Sequence, residues 1–271
     1  MKVGKLTGSA FAAALCMVSA AEIRAAEQKS SEPVFNSPLY QCKGFNRYLK
    51  NSGLINLTQG GKTLISESRI YATLKDADGK NIPIREKDDP NYEWKNDVLT
   101  SRKTMVSRDA KAEPYAEVNR KIQFSGNKIS SEIVIKNLRD ITFAQPWTCY
   151  HEIIFFITKS LSGMRLDGVQ MDGQTISTVV PRKFDKKKWG FTKRLKKLTM
   201  TGQDETTITV TVPPNCILSL NHYGGKEMEL YVRPLVKSFA NLKQKAGQEN
   251  RISYTIEFGK TNSNNHRRLE P

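Results

Sequence analysis

The chain has 271 residues, with 43 lysines and arginines against 27 aspartates and glutamates, a formal charge of +16. That length can bury a substantial core, and the basic excess favours anionic partners. No two cysteines have metal-ligand spacing, and no Gly-x-Ser-x-Gly elbow, dinucleotide loop or phosphate loop occurs, so neither a metal nor a cofactor is expected.

Residues 1–26 read as a secretory signal peptide. Lys2 and Lys5 precede the apolar run 10–18, and Ser19, Ala20 and Ala21 offer a cleavage site, with Ala25-Ala26 as a second. The run is shorter than the ~20 residues of a membrane span, and no later stretch is long and apolar enough. The expectation is a periplasmic or secreted protein without a transmembrane segment. Export turns the basic charge away from nucleic acid and toward a glycan or other polyanion, or an envelope protein. Cys16 leaves with the leader, and Cys42, Cys149 and Cys216 allow one disulfide with a spare thiol, or three buried thiols.

The rest of the chain is written in period two. Asp78-Gly79 suits a tight turn, and residues 83–114 are polar, either a long excursion between sheet halves or a pair of edge strands. Val118, Ile122 and Phe124 share a strand face with Arg120; Ser125 to Asn127 turn the chain, and Ile129, Ile133 and Ile135 follow. Ile153 to Ile157 are apolar on both faces, as a central strand requires. Asp167-Gly168, Asp172-Gly173 and Gly224-Gly225 read as turns. Ile208, Val210 and Val212 alternate with threonines, and Pro213-Pro214 separates them from Cys216, Leu218 and Leu220. Met228, Leu230 and Val232 repeat the pattern, as do Ile252, Tyr254, Ile256 and Phe258. Residues 236–248 read as a short helix or a crossing loop. The predicted fold is all-β: a large antiparallel β-sandwich formed by residues 27–260 as one domain, with 261–271 as a flexible tail.

Three places carry candidate functional residues. Trp147, Tyr150 and His151 stand at the mouth of the central strand; His151 and Glu152 point to opposite faces if the strand is regular. His222, Tyr223 and Glu227 flank the Gly-Gly hairpin. An imidazole beside another imidazole or a carboxylate suits proton transfer near neutral pH, so His151, His222 and Glu227 are the catalytic candidates. The segment 182–197 packs nine cationic side chains around Phe184, Trp189 and Phe191. Its Arg182, Lys186, Lys187, Lys188 and Trp189 are expected to neutralise a polyanion and stack on sugars, on an exposed cationic surface.

The hairpin Gly53 to Leu57, Gly60-Gly61, Lys62 to Ile65 resembles the opening of galactose-mutarotase-like supersandwich proteins. Glu117 to Phe124, then Ile129 to Asn137, is similar to their mid-sheet hairpin, which ends in an asparagine. The resemblance spans about residues 40–260. It implies a carbohydrate-associated β-sandwich, and a true mutarotase would pair an acid histidine with a base glutamate in a sugar cleft. The leading expectation is an exported, non-catalytic carbohydrate-binding β-sandwich for an acidic glycan or envelope polymer. The alternatives are a mutarotase-like or lyase-like carbohydrate enzyme and a structural or adhesion protein of the cell envelope.

Overall fold

β-Branched and aromatic residues at alternating positions fold most of the described chain into antiparallel strands. The computed structural model describes residues 33–46, 51–88, 91–107, 113–182, 194–222, 227–235 and 242–260. In chain order the strands are β1 (Val34–Asn36), β2 (Gln41–Asn46), β3 (Asn51–Gln59), β4 (Lys62–Lys75), β5 (Asn81–Glu86), β6 (Tyr92–Lys95) and β7 (Val98–Ser107). There follow β8 (Ala116–Phe124), β9 (Lys128–Asn137), β10 (Ile141–Thr142), β11 (His151–Ile157), β12 (Arg165–Gln170) and β13 (Thr175–Val179). The last are β14 (Leu195–Thr201), β15 (Thr206–Thr211), β16 (Cys216–His222), β17 (Glu227–Pro234), β18 (Lys243–Gln244) and β19 (Glu249–Lys260).

Pairing closes eleven of these into a ring: β4, β5, β7, β8, β9, β19, β15, β14, β16, β17, β11 and back to β4. Six further strands extend it, while β10 and β18 pair as a separate two-stranded sheet. β1 and β2 join β3 along the first half of β4, the β12–β13 hairpin lies on β14, and β6 lies on β7. The all-β expectation holds, with the sheet closed on itself. Inward positions of β8 and β19 alternate with exposed ones, burying Val118, Ile122 and Phe124 against Ile252, Ile256 and Phe258. Each such side chain contributes about 1.5–3 kcal/mol. Cys42, Cys149 and Cys216 are three buried free thiols, so no disulfide joins them.

Two local expectations are corrected. The polar stretch 83–114 contains β7, a full member of the ring, whose buried face carries Ser101 and Lys103 beside Leu99 and Met105. Asp167-Gly168 lies within β12, and the hairpin turns instead at Asp172-Gly173, where Gly173 has φ +93°. Of residues 236–248, read as a short helix or a crossing loop, 242–248 hold β18 and a turn, and 236–241 lie outside the described residues.

One edge of β4 is divided. β3 pairs with it up to Glu67 and β5 takes over at Tyr71, leaving the backbone of residues 68–70 without a strand on that side. Side chains take the open groups. Glu86 Oε2 accepts the Ile70 N–H at 3.0 Å, Asn51 Nδ2 donates to the Ser68 carbonyl at 3.3 Å, and Ser68 Oγ accepts the Leu54 N–H at 3.1 Å. Glu86 brings a carboxylate into the core, and Arg120 answers it. The Arg120 guanidinium is fully buried, 3.3 Å from Glu86 and 3.2 Å from the equally buried Glu152, and donates to the Ser52 carbonyl at 2.5 Å. Gly53 is needed beside it, since a Cβ there would sit 2.8 Å from Ser68 Oγ and 3.1 Å from Arg120 Nη1.

Removing one partner of a buried ion pair leaves an uncompensated charge. Arg120→Met is therefore expected to destabilise the fold by about 3–5 kcal/mol in urea unfolding, against ~0–1 kcal/mol for the exposed Arg251→Met.

Candidate functional site on the outer face of β11

β11 runs between β4 and β17. Its alternation is strict where it matters: Glu152, Ile154 and Phe156 are fully buried on the inner face, and His151, Ile153 and Phe155 occupy the outer one. The register gives the outer neighbours. Tyr71 lies opposite His151, Arg69 and Tyr231 flank Ile153, and Glu67 and Glu229 flank Phe155. β16 adds Ser219 beside Tyr231.

His151 is the centre of this face. Its ring is stacked with Tyr71 at 6.4 Å between centroids and tilted against Tyr231 at 5.4 Å. Nδ1 lies 2.8 Å from the Cys149 carbonyl, which can only accept, so Nδ1 carries the proton and Nε2 is left as an acceptor. Burial pushes the imidazole down to about 4, and the Arg233 cation acts in the same direction. Arg233 donates to Ser219 Oγ at 3.0 Å and to the Trp147 carbonyl at 3.4 Å, while the Tyr231 hydroxyl donates to Glu229. Trp147 stands at the rim with 58% of its surface exposed. Cys149 is no nucleophile: burial raises its thiol to about 11.

The other candidates fall elsewhere. Tyr150 is fully buried, its hydroxyl donating to Asn137 Oδ1 at 2.8 Å and its ring edge-on to Phe143. Glu227 faces Ile157, and His222 ends β16 opposite Met228. Both belong to the far end of β11, six residues or ~20 Å of strand from His151. Glu227 instead accepts a hydrogen bond from Ser66 Oγ at 3.0 Å. The three catalytic candidates are thus not assembled into one site. Arg182 is exposed, as are Arg194, Lys196 and Lys197, but Leu195 is buried in β14. Lys186, Lys187, Lys188, Trp189 and Tyr223 lie outside the described residues. Among the described residues, no group of His, Cys, Asp or Glu could hold a metal ion.

No protein-family model matches the sequence, and no curated protein matches it. Among solved structures, the chain is similar to a galactose mutarotase-like protein from Lactobacillus casei ATCC 334. The TM-score is 0.55 at 9% identity, over 84% of this chain and 100% of that one. The fold is what they share. The Slr1438 protein from Synechocystis sp. PCC 6803 gives a TM-score of 0.54 at 11% identity, over 85% of this chain and 96% of that one. A GH36 alpha-galactosidase from Geobacillus stearothermophilus gives 0.51 at 7% identity, over 85% of this chain and 41% of that one. The resemblance to mutarotase-like β-sandwiches is therefore one of architecture, without membership of a specific family.

The depressed His151 has a measurable consequence. A group whose folded pKa lies below its unfolded value near 6.5 contributes stability that is present above 6.5 and lost as pH falls through about 4. The His151 ring signal is expected to titrate near 4 by NMR. Wild type should lose about 3 kcal/mol more than His151→Phe between pH 7 and 3.5.

Proposed function

We propose that the protein binds carbohydrate on the outer face of β4, β11 and β17, around His151. The observation that carries this reading is the combination of three rings, His151, Tyr71 and Tyr231, with exposed Trp147 at the rim. Arg233, Ser219 and Glu229 supply polar groups on the same face. Binding sites pair apolar and aromatic walls with a few placed polar groups. A sugar has both surfaces, C–H faces for the rings and hydroxyls for the donors and acceptors. The fold likeness to a mutarotase-like protein and to an alpha-galactosidase supports the same ligand class. The signal-like residues 1–26 support an exported place of action.

A second reading, a mutarotase-like enzyme, is favoured by a fold likeness that spans the whole of the Lactobacillus casei protein. Mutarotation takes a proton from the anomeric hydroxyl and gives one to the ring oxygen, so it needs a base and an acid. The unprotonated Nε2 of His151 can accept a proton. An imidazole held near 4 is a weak acid donor at neutral pH because it is not protonated there, and Glu227 is too far along the sheet to join it.

The binder and the enzyme separate in one set of measurements. Trp147→Ala and Tyr231→Ala are each expected to weaken sugar binding about tenfold by calorimetry, the scale of a lost stacking contact. Polarimetry of freshly dissolved galactose or glucose should follow the uncatalysed rate for the binder. For the enzyme, the protein should accelerate it, and His151→Gln should remove the acceleration. Unchanged affinities in both ring variants would place sugar contact elsewhere.

A further inference from the structure

Arg233 is a half-buried cation that no carboxylate among the described residues pairs with. Its two hydrogen bonds go to neutral oxygens, the Ser219 hydroxyl and the Trp147 carbonyl. Its Nε is shielded from solvent and has no hydrogen-bond partner among the described residues. No carboxylate among those residues forms an ion pair with it, whereas the buried Arg120 has two. Desolvating a charge costs several kcal/mol unless it is paired and hydrogen-bonded. A guanidinium fork with unused donors matches the paired oxygens of a carboxylate or sulfate.

The surroundings fit the same charge. Arg194, just ahead of β14, is close enough to repel Arg233 electrostatically. It lines a cavity of about 440 Å³ together with Gln170, Met171, Asp172 and Leu235. Asp172 accepts the Gln174 N–H at 3.0 Å in its own turn. Leu235 of that lining lies two residues beyond Arg233 in the chain.

We infer that Arg233, backed by Arg194, receives the anionic substituent of a sugar whose ring rests on the His151 face. This deepens the carbohydrate reading and rests on it. The chemistry recognised is a planar or tetrahedral oxyanion on a sugar, from a uronic acid or a sulfate ester. Specificity for an acid sugar then comes from a half-buried arginine in the sheet.

The test compares wild type, Arg233→Gln and Arg233→Lys at constant ionic strength, using glucose, glucuronate, glucose 6-sulfate and inorganic sulfate as probes. Affinity is read by calorimetry and the thermal midpoint by calorimetric scanning. Wild type is expected to bind one of the two acid sugars about tenfold more tightly than glucose. Glucuronate as the preferred probe identifies a carboxylate, and glucose 6-sulfate a sulfate. Arg233→Gln should abolish the preference of the acid sugar over glucose, and Arg233→Lys should retain part of it, even if the Gln variant folds poorly. An acid-over-neutral preference equal in all three proteins overturns the inference, as does no preference in wild type. If no sugar binds but inorganic sulfate raises the midpoint of wild type and not of Arg233→Gln, the anion site stands and the carbohydrate reading falls.

Discussion

The buried guanidinium of Arg120 is the constraint from which the rest of the structure follows. β8 delivers it to Glu86 of β5, to Glu152 of β11 and to the Ser52 carbonyl of β3, so four strands meet at one cation. Moving a carboxylate or a guanidinium out of water costs several kcal/mol per ion, and their mutual attraction repays that only with good geometry. The carboxylates are there for a reason. Glu86 satisfies the backbone that β4 exposes where it passes from β3 to β5, and Arg120 makes that carboxylate tolerable. Burial pushes the Glu152 carboxyl up, and Arg120 pulls it back.

The same contact sets the candidate site. Because Glu152 must meet Arg120 inside the ring, the two-residue period sends His151, Ile153 and Phe155 outward. A one-residue slip would turn His151 into the ring and send a carboxylate outward. The outer face then acquires its character from neighbours in register: tyrosines on both sides of the imidazole, and an arginine that helps to keep it neutral. The proposed recognition of a polar, anionic ligand draws on the neutral histidine and the half-buried arginine of this one face.

Much of this was legible before the fold was seen. Arg120 stands in phase with Val118, Ile122 and Phe124, and that phase alone placed a charge among core residues. The opposite orientations of His151 and Glu152 followed from the strand period, and the apolar run after them marked a central strand. β7 escaped notice because its buried face mixes Ser101 and Lys103 with apolar residues, which erases the alternation. The separation of His151 from His222 and Glu227 depends on long-range register between β11, β17 and β16, which local pattern does not encode. Arg233 gave no signal either, since an arginine at a strand end is ordinarily solvated and its shielding arises from packing against Trp147 and Ser219.

The central claim is that carbohydrate meets the outer face of β11. Mapping backbone amide shifts by NMR while a sugar is titrated locates the contact directly. The account predicts the largest, saturable changes at residues 69–71, 147–153, 219 and 229–233. A polar groove of about 530 Å³ on the other side of the ring, bounded by Thr100, Asn119 and Glu132, gives an internal contrast. Shifts confined to that groove, or none at the His151 face, would contradict the account.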